Sequence, residues 1–186
     1  MSDMLHERGK ALEDLFFAHK DAERVAALQA RAARDAQVHE LTDVTGIHDA
    51  DVLGHLVSLG VTADTLAALA LVPVLHVAWS DRVLDANERN TLLLEAAEAG
   101  VVRGSVAHTL LESWLGTAYN ADLFSAWADY WTALRPHMGA DKAANMASGM
   151  IAVAERVARA SGGFAGINAV SAAERSALAE IRSVLG

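Results

Sequence analysis

Apolar residues recur along most of the chain at intervals of three and four, the spacing that places them on one face of an α-helix. The pattern is interrupted by glycines and by residues that cap helix ends. It predicts helices near residues 48-58, 62-79, 86-99, 104-116, 121-137, 139-161 and 172-185. Pro73 falls inside one of these segments and predicts a kink there, whereas we expect Pro136 to end its helix. The pattern therefore predicts an all-α helical bundle.

The first 40 residues have a different pattern, with 14 charged residues of both signs and a narrow apolar stripe. The stripe consists of Leu5, Leu12, Leu15, Phe16, Val25 and Leu28. It predicts one long amphipathic helix, which either lies against the rest of the chain or projects and pairs with a partner. Contact within the chain avoids the entropy cost of association, so we expect packing. We divide the chain into an N-terminal helical extension, 1-45, and a helical domain, 46-186.

The composition agrees with this division and narrows the class of protein. The 186 residues are 53% hydrophobic and 21% charged, which excludes a disordered chain, and 39 alanines with 2 prolines favour helix. The absence of cysteine removes disulfides and thiolate ligands and is compatible with the cytoplasm, where we expect the protein. The longest apolar run is shorter than the roughly 20 residues that a membrane span needs, so we expect no transmembrane segment.

The net charge is -9, which argues against nucleic acid as a partner, since such binding needs clustered cations. No Lys or Arg occurs between Arg34 and Arg82, although that interval holds seven acidic residues. Most of these carboxylates are explained by helix starts or by the first helix. Asp81 is the one without such an explanation, and it directs attention to the loop that follows it.

That loop contains Asp81, Asp85 and Glu88, whose carboxylates at i, i+4 and i+7 could converge on one divalent cation. Oxygen ligands of this kind suit calcium or magnesium. The alternative is structural, because Asp85-x-x-Glu88 is the capping-box pattern of a helix start. Ser171-x-x-Glu174 repeats the pattern, and the segments around residues 77-94 and 157-181 resemble each other as two helix-loop-helix units.

A second metal hypothesis involves His48, Asp51 and His55, which share one side of a predicted helix and could hold zinc with an open position. They lie opposite the apolar face of that helix, so a solvated surface is the preferred interpretation. A metal-dependent hydrolase built on this triplet is the remaining alternative. Elsewhere no nucleophile, base and oxyanion donor come together in the pattern, and we predict that the protein is not an enzyme.

Several other residues have structural interpretations. Trp127 and Trp131 at i and i+4 are expected to pack in the core. His76 is expected to be a hydrogen-bonded core histidine. His108 and Glu112 are expected to form a surface pair. The glycine-rich segment 161-166 is expected to connect two helices.

One stretch resembles a known family. Residues 68-89, ALALVPVLHVAWSDRVLDANER, are similar to the signature helix, acidic loop and following helix of tellurite-resistance TerB-like proteins. The resemblance covers about residues 62-185. It implies a TerB-like helical bundle of two pseudo-repeated halves, with the long N-terminal helix outside the family.

The resemblance also implies a type of function. TerB-like proteins are associated with divalent-metal binding, with stress response and with complexes at the membrane surface, and no catalytic activity is generally assigned to them. Asp81, Asp85 and Glu88 match the acidic residues of the family's first loop, so they would hold the ion, calcium, magnesium or zinc. Arg82 departs from the family's usual Gly, and the second loop, residues 161-171, has no carboxylate.

The sequence therefore predicts a non-enzymatic TerB-like module that could bind a divalent cation in a stress-response or membrane-associated complex. The alternative is an interaction or self-association module that acts through its N-terminal helix without a metal. Both hypotheses give the protein a protein partner or a second copy of itself. Peripheral association with a membrane stays compatible with either one.

Overall fold

The chain is all-α over the residues that the computed structural model describes, which are 2-116, 120-160 and 170-186, with side chains described from residue 16 onward. Eight α-helices and one 3-10 helix account for this part of the chain. The α-helices are α1 Ser2–Thr45, α2 Ala50–Ser58, α3 Val72–Ala78, α4 Ala86–Glu98, α5 Val106–Gly116, α6 Ala121–Met138, α7 Ala140–Ala160 and α8 Ala172–Leu185. The 3-10 helix is Ala63–Leu71. The predicted fold class is confirmed, while the pseudo-repeat stays a prediction.

Helix α3 lies at the centre of the bundle, where it packs against α4, α6, α7, α8 and the 3-10 helix. Six of its seven residues are apolar and buried, as expected of a helix at the centre of a bundle, and the seventh is His76. The predicted pair Trp127 and Trp131 is confirmed as core, with each side chain 2% exposed. On the outside of the bundle, α5 packs on the 3-10 helix, and α2 packs between α1 and α6.

Both prolines act differently from the prediction. The segment predicted as one kinked helix is a 3-10 helix followed by α3, and Pro73 occupies the first turn of α3, where its missing N–H is no loss. Pro136 does not end its helix, because α6 continues to Met138. The helix stops instead at Gly139, whose φ of 81° is easily adopted only by glycine.

Helix starts follow the local sequence closely. Asp49 caps α2, with its Oδ1 accepting from the backbone N of Asp51 and of Val52, both at 3.1 Å. Asn120 caps α6 in the same way, since its Oδ1 accepts from the N of Asp122 at 3.0 Å. These caps satisfy backbone donors that the first turn of a helix leaves without partners.

The expectation that α1 lies along the body is wrong for residues 16-36, which are all exposed. We call these residues the projecting segment. Only the last turns of α1 pack, with Leu41 fully buried and Val38 against the core. The Nη2 of Arg34 donates to the carbonyl oxygen of Gly54 at 2.9 Å and joins α1 to α2 at the point where the projection begins.

Helical geometry explains why the apolar stripe does not continue onto the body. At 100° per residue, Val25 lies about 160° and Leu28 about 140° around the helix from Leu41. Phe16 shares the azimuth of Leu41, but a rise of 1.5 Å per residue places it about 37 Å further along the axis. The apolar residues of the projecting segment therefore face away from the bundle or extend past it.

Candidate functional site

The acidic loop predicted as a metal site connects α3 to α4. Asp85 is the N-cap of α4, and its Oδ1 accepts from the backbone N of Asn87 at 2.6 Å and of Glu88 at 2.8 Å. Glu88 completes the capping box, because its Oε2 accepts from the N of Asp85 at 3.0 Å. The capping-box interpretation of the sequence is confirmed, and both Asp85 and Glu88 accept hydrogen bonds from the backbone.

Asp81 and Arg82 form the turn before this cap. The Oδ1 of Asp81 accepts from the backbone N of Val83 at 3.0 Å, a local bond typical of aspartate in turns. Arg82 has a φ of 68°, in the left-handed region that glycine adopts without strain, and its N donates to the carbonyl oxygen of Trp79 at 2.9 Å. A glycine at this position, as in the TerB-like pattern, would adopt the same turn at lower cost.

Glu88 is 3% exposed, which is unusual for a carboxyl group. Burial raises its pKa from 4.5 to about 7, because the charged form loses its hydration. The hydrogen bond from the N of Asp85 acts in the opposite direction. The negative charges of Asp85, Asp81 and Glu174 raise the pKa further. Glu88 is therefore divided between its protonated and charged forms near neutral pH.

Glu174 belongs to the second capping box, at the start of α8, and it is also 3% exposed. Ser171 is the N-cap, its Oγ accepting from the N of Glu174 at 3.1 Å, and the carboxylate of Glu174 accepts from the N of Ser171. The fold thus brings two capping glutamates into the same core. The sequence predicted each box separately, but their electrostatic contact depends on packing between distant helices.

The predicted metal ligands do not assemble into a coordination site in the described part of the chain. No group of three or more His, Asp or Glu side chains there is arranged to hold a metal ion. The set Asp81, Asp85 and Glu88 therefore stays a prediction from the sequence.

His48, Asp51 and His55 are likewise not brought together. His48 and Asp51 are exposed, and the Nε2 of His55 lies 3.0 Å from the Oδ2 of Asp122 on α6.

His76 has the role predicted for it. Its Nε2 lies 3.0 Å from the Oε2 of Glu180, and its ring stacks on Phe124 with 3.9 Å between the centroids. Burial lowers the pKa of His76, and the hydrogen bond and charge of Glu180 only partly oppose this. Glu180 lies 104 residues away in the sequence, so no local pattern indicated the pair.

The expected surface pair is also present, although loosely, with 3.8 Å between Nδ1 of His108 and Oε2 of Glu112. The predicted glycine-rich connection, residues 161-166, lies outside the described residues.

The projecting segment is a stretch of α1 that the bundle does not cover. It exposes four large apolar side chains by 52% to 67%, those of Phe16, Phe17, Val25 and Leu28. Two side-chain pairs run along the helix: Nε2 of His19 lies 3.2 Å from Oε1 of Glu23, and Arg31 forms an ion pair with Asp35 at 3.9 Å. Such pairs stabilise an isolated helix by about 0.2–0.5 kcal/mol each. They support the helix and leave its apolar side chains in water.

No family model, curated protein or solved structure matches this chain. The similarity to TerB-like proteins therefore rests on the residues quoted from the sequence.

In the part of the chain that the structure describes, no single helix is both long enough and apolar enough to cross a membrane. One pair, Ala50–Ser58 with Ala63–Ala78, meets both criteria by length and composition when taken together, with a bend of 85° between its parts.

Proposed function

We propose that the protein is a non-enzymatic helical module that associates with a second copy of itself through the projecting segment. The proposal rests on one observation: α1 extends out of the bundle and exposes four large apolar side chains to water. Moving one such side chain from full exposure to full burial against a partner contributes about 1.5–3 kcal/mol. The gain here is smaller, because each side chain is already partly covered. At 100° per residue Phe17, Val25 and Leu28 lie within about 80° of one another around the helix, and a partner helix is the simplest surface that covers such a stripe.

Charge favours a second copy arranged antiparallel. Residues 2-17 contain four acidic and two basic side chains, whereas residues 18-36 contain three acidic and four basic ones. An antiparallel pair places the acidic half of each helix beside the basic half of the other. At each end of the contact, an acidic half of one helix therefore faces a basic half of the other.

The remainder of the chain gives a second reason for this orientation. The whole chain carries a charge of -9, while residues 16-36 carry four basic and three acidic side chains, so the acidic charge lies mostly elsewhere. Antiparallel helices pairing over residues 2-36 hold the two bodies about 50 Å apart at 1.5 Å per residue. That distance exceeds the screening length of about 8 Å at physiological ionic strength, so repulsion between the bodies is small. A parallel pair would place the two acidic bodies side by side.

Sedimentation tests the association with matched variants. Each chain has a mass of 19.6 kDa, and we expect the wild type to sediment as a species of twice that mass. The double variant Val25→Ser with Leu28→Ser should sediment as a monomer. Leu94→Ser with Val102→Ser removes the same residue types from similarly exposed body positions and should leave the dimer intact. A monomeric wild type contradicts the proposal.

Distances between spin labels on the two copies test the orientation of the pair. The chain has no cysteine, so a single introduced cysteine can be labelled. Spin labels on Ala36→Cys, at the base of the projecting segment, should lie more than about 40 Å apart in an antiparallel pair. Labels on Ala18→Cys, near the middle of the contact, should lie within about 20 Å. Short distances at both positions would show a parallel pair and contradict the antiparallel arrangement.

A further inference from the structure

Three arginines line one groove between α7 and α8, although the chain as a whole carries a charge of -9. They are Arg159 in the last turn of α7 and Arg175 and Arg182 on α8. At 100° per residue Arg175 and Arg182 lie about 20° apart around the helix, which places both on the side of α8 that faces the groove. The groove has a volume of about 450 Å³, within the range of small-molecule sites.

Glu155 is the only carboxylate among the described residues that line this groove. Its Oε2 accepts from Nη2 of Arg159, and its Oε1 accepts from Nη2 of Arg182, both at 2.6 Å. Arg175 donates from Nη1 to a backbone carbonyl oxygen and has no carboxylate partner in the described part of the chain. The connecting residues 161-169 contain no Asp or Glu. Three guanidiniums therefore share one carboxylate, and two positive charges are in excess.

The other two acidic residues of α8 do not neutralise this excess. Glu174 is 3% exposed and belongs to the capping box at the start of the helix. Glu180 lies about 140° around the helix from Arg175, and its Oε2 lies 3.0 Å from Nε2 of His76 on α3. An arginine side chain has five N–H donors, and each bond described above uses only one of them. Most donors of the three arginines are therefore available to a ligand.

The excess charge and the number of donors match a phosphate monoester. This group carries a charge of about -1.5 to -2 at pH 7 and presents three strong acceptor oxygens. A carboxylate has a single charge and two oxygens, so it would leave part of the excess charge unbalanced. The planar guanidinium group suits phosphoryl oxygens, since its N–H groups can donate to two of them at once. Val170 and Leu178 also line the groove and offer an apolar surface beside the arginines.

We propose that this groove binds a phosphate monoester through the guanidiniums of Arg159, Arg175 and Arg182. An apolar substituent of the ester contacts Val170 and Leu178. The groove lies on the bundle, so the proposal does not rest on self-association through the projecting segment. A phosphate monoester occurs both in small soluble molecules and in the headgroup of phosphatidic acid, and the experiment includes both sources.

Titration calorimetry with phenyl phosphate and with phenyl sulfate at pH 8 tests the soluble source. The two probes have the same ring and the same number of terminal oxygens, and they differ in charge. We expect phenyl phosphate to bind at least about tenfold more tightly, because only its charge balances the excess on the arginines. Measurable but equal affinities for the two probes overturn the assignment of a monoester.

Flotation of the protein with lipid vesicles tests the second source. One set of vesicles contains phosphatidic acid, and the other contains phosphatidylglycerol, whose phosphate is a diester with a single charge. Binding of phenyl phosphate, or binding of the phosphatidic acid vesicles in preference to the phosphatidylglycerol vesicles, supports the proposal. If neither is observed, the proposal is overturned.

Arg175→Gln locates the site, because Arg175 is exposed and loses no carboxylate partner on substitution. We expect this variant to bind phenyl phosphate at least about tenfold more weakly, since a hydrogen bond to a charged group is lost. Arg103→Gln is the matched control, because it removes the same charge from an exposed residue outside the groove. Both variants are also tested on the phosphatidic acid vesicles. Equal losses in the two variants would show attraction by net charge alone and would overturn the site.

Glu155→Gln tests the site in the opposite direction, and a misfolded variant could not imitate the result. The substitution removes the carboxylate that competes for Arg159 and Arg182. We expect phenyl phosphate to bind about threefold or more tightly, because the excess charge near the ligand rises from two to three. Glu98→Gln, at the exposed end of α4, changes the net charge equally and should leave the affinity unchanged. An unchanged affinity in Glu155→Gln overturns the role of the excess charge.

Discussion

The projecting segment and the helical bundle are made of similar residues, yet all four large apolar residues of the projecting segment are exposed, whereas most of those in the bundle are buried. In the bundle, Leu53, Leu56 and Leu75 are at most 1% exposed, whereas Leu28 in the projecting segment is 67% exposed. Charged groups differ similarly. The bundle buries Glu88 and Glu174, while His19 and Glu23 of the projecting segment are 75% and 64% exposed.

The difference shows that helical periodicity and burial are separate requirements. The projecting segment forms a helix from its alanines and its i, i+4 pairs, which act locally. Burial also needs a second surface on the same side of the helix and at the same position along its axis. The bundle provides such a surface only for the last turns of α1. A helix can therefore satisfy every local preference and still leave apolar side chains in water.

We expect the largest difference in the free energy of unfolding between variants of Leu41 and Leu28, two leucines of α1. Leu41→Ala should lower the free energy of unfolding by about 2–5 kcal/mol, because it leaves a cavity in the core. Leu28→Ala should change it by less than about 0.5 kcal/mol at concentrations where the protein is monomeric. Urea unfolding followed by circular dichroism measures both values. Equal losses would show that the projecting segment packs on the bundle.

Glu88 should make the stability of the bundle depend on pH. Because the folded-state pKa is raised from 4.5 to about 7, this carboxyl group stabilises the fold most below pH 4.5, and the contribution is lost as the pH rises through 7. Glu88→Gln retains an oxygen that can accept from the N of Asp85 and carries no charge. We expect the variant to equal the wild type near pH 4.5 and to exceed its stability by about 1–3 kcal/mol at pH 8.

The control is Glu98→Gln, at the exposed end of the same helix. It should leave the pH dependence of unfolding unchanged from pH 4.5 to pH 8. If Glu88→Gln retains the slope of the wild type, then Glu88 does not titrate near neutral pH and the contrast with exposed carboxylates fails.

Near the point where the projecting segment meets the bundle, we compare the effects of Arg34 and Arg31 on stability. Arg34→Ala removes the hydrogen bond to Gly54 and should cost about 0.5–1.5 kcal/mol, because the guanidinium is partly in water. Arg31→Ala removes only a 3.9 Å contact with Asp35 from a side chain that is 81% exposed, and it should cost less than about 0.5 kcal/mol. Thermal unfolding of the two variants shows which substitution costs more stability. A larger loss for Arg31 would mean that Arg34 does not anchor the helix.

Much of the fold could be predicted from the sequence because its signals are local. The capping boxes at Asp85 and Ser171 depend on side chains three residues apart, and Trp127 with Trp131 depends on one helical turn. The turn at Arg82 and the mixed helix around Pro73 were harder to predict, since arginine rarely adopts a positive φ and proline is compatible with both a kink and a helix start.

The candidate sites were less predictable, because they depend on residues far apart in the chain. The contact of His76 with Glu180 and the electrostatic effect of Glu174 on Glu88 join α3 and α4 to α8. Spacing along the sequence placed Asp81, Asp85 and Glu88 in one loop and indicated the capping box, but it did not show that Glu88 would be buried near Glu174.

The sequence by itself determined the helices, their caps and the all-α class, because each depends on interactions within a few residues. Only the tertiary structure decided that the N-terminal helix projects, that Glu88 is buried near a second glutamate, and that His76 meets Glu180. These outcomes depend on the relative position of helices that are distant in sequence. Burial, the pKa of a carboxyl group and the exposure of an apolar stripe are all set by that position.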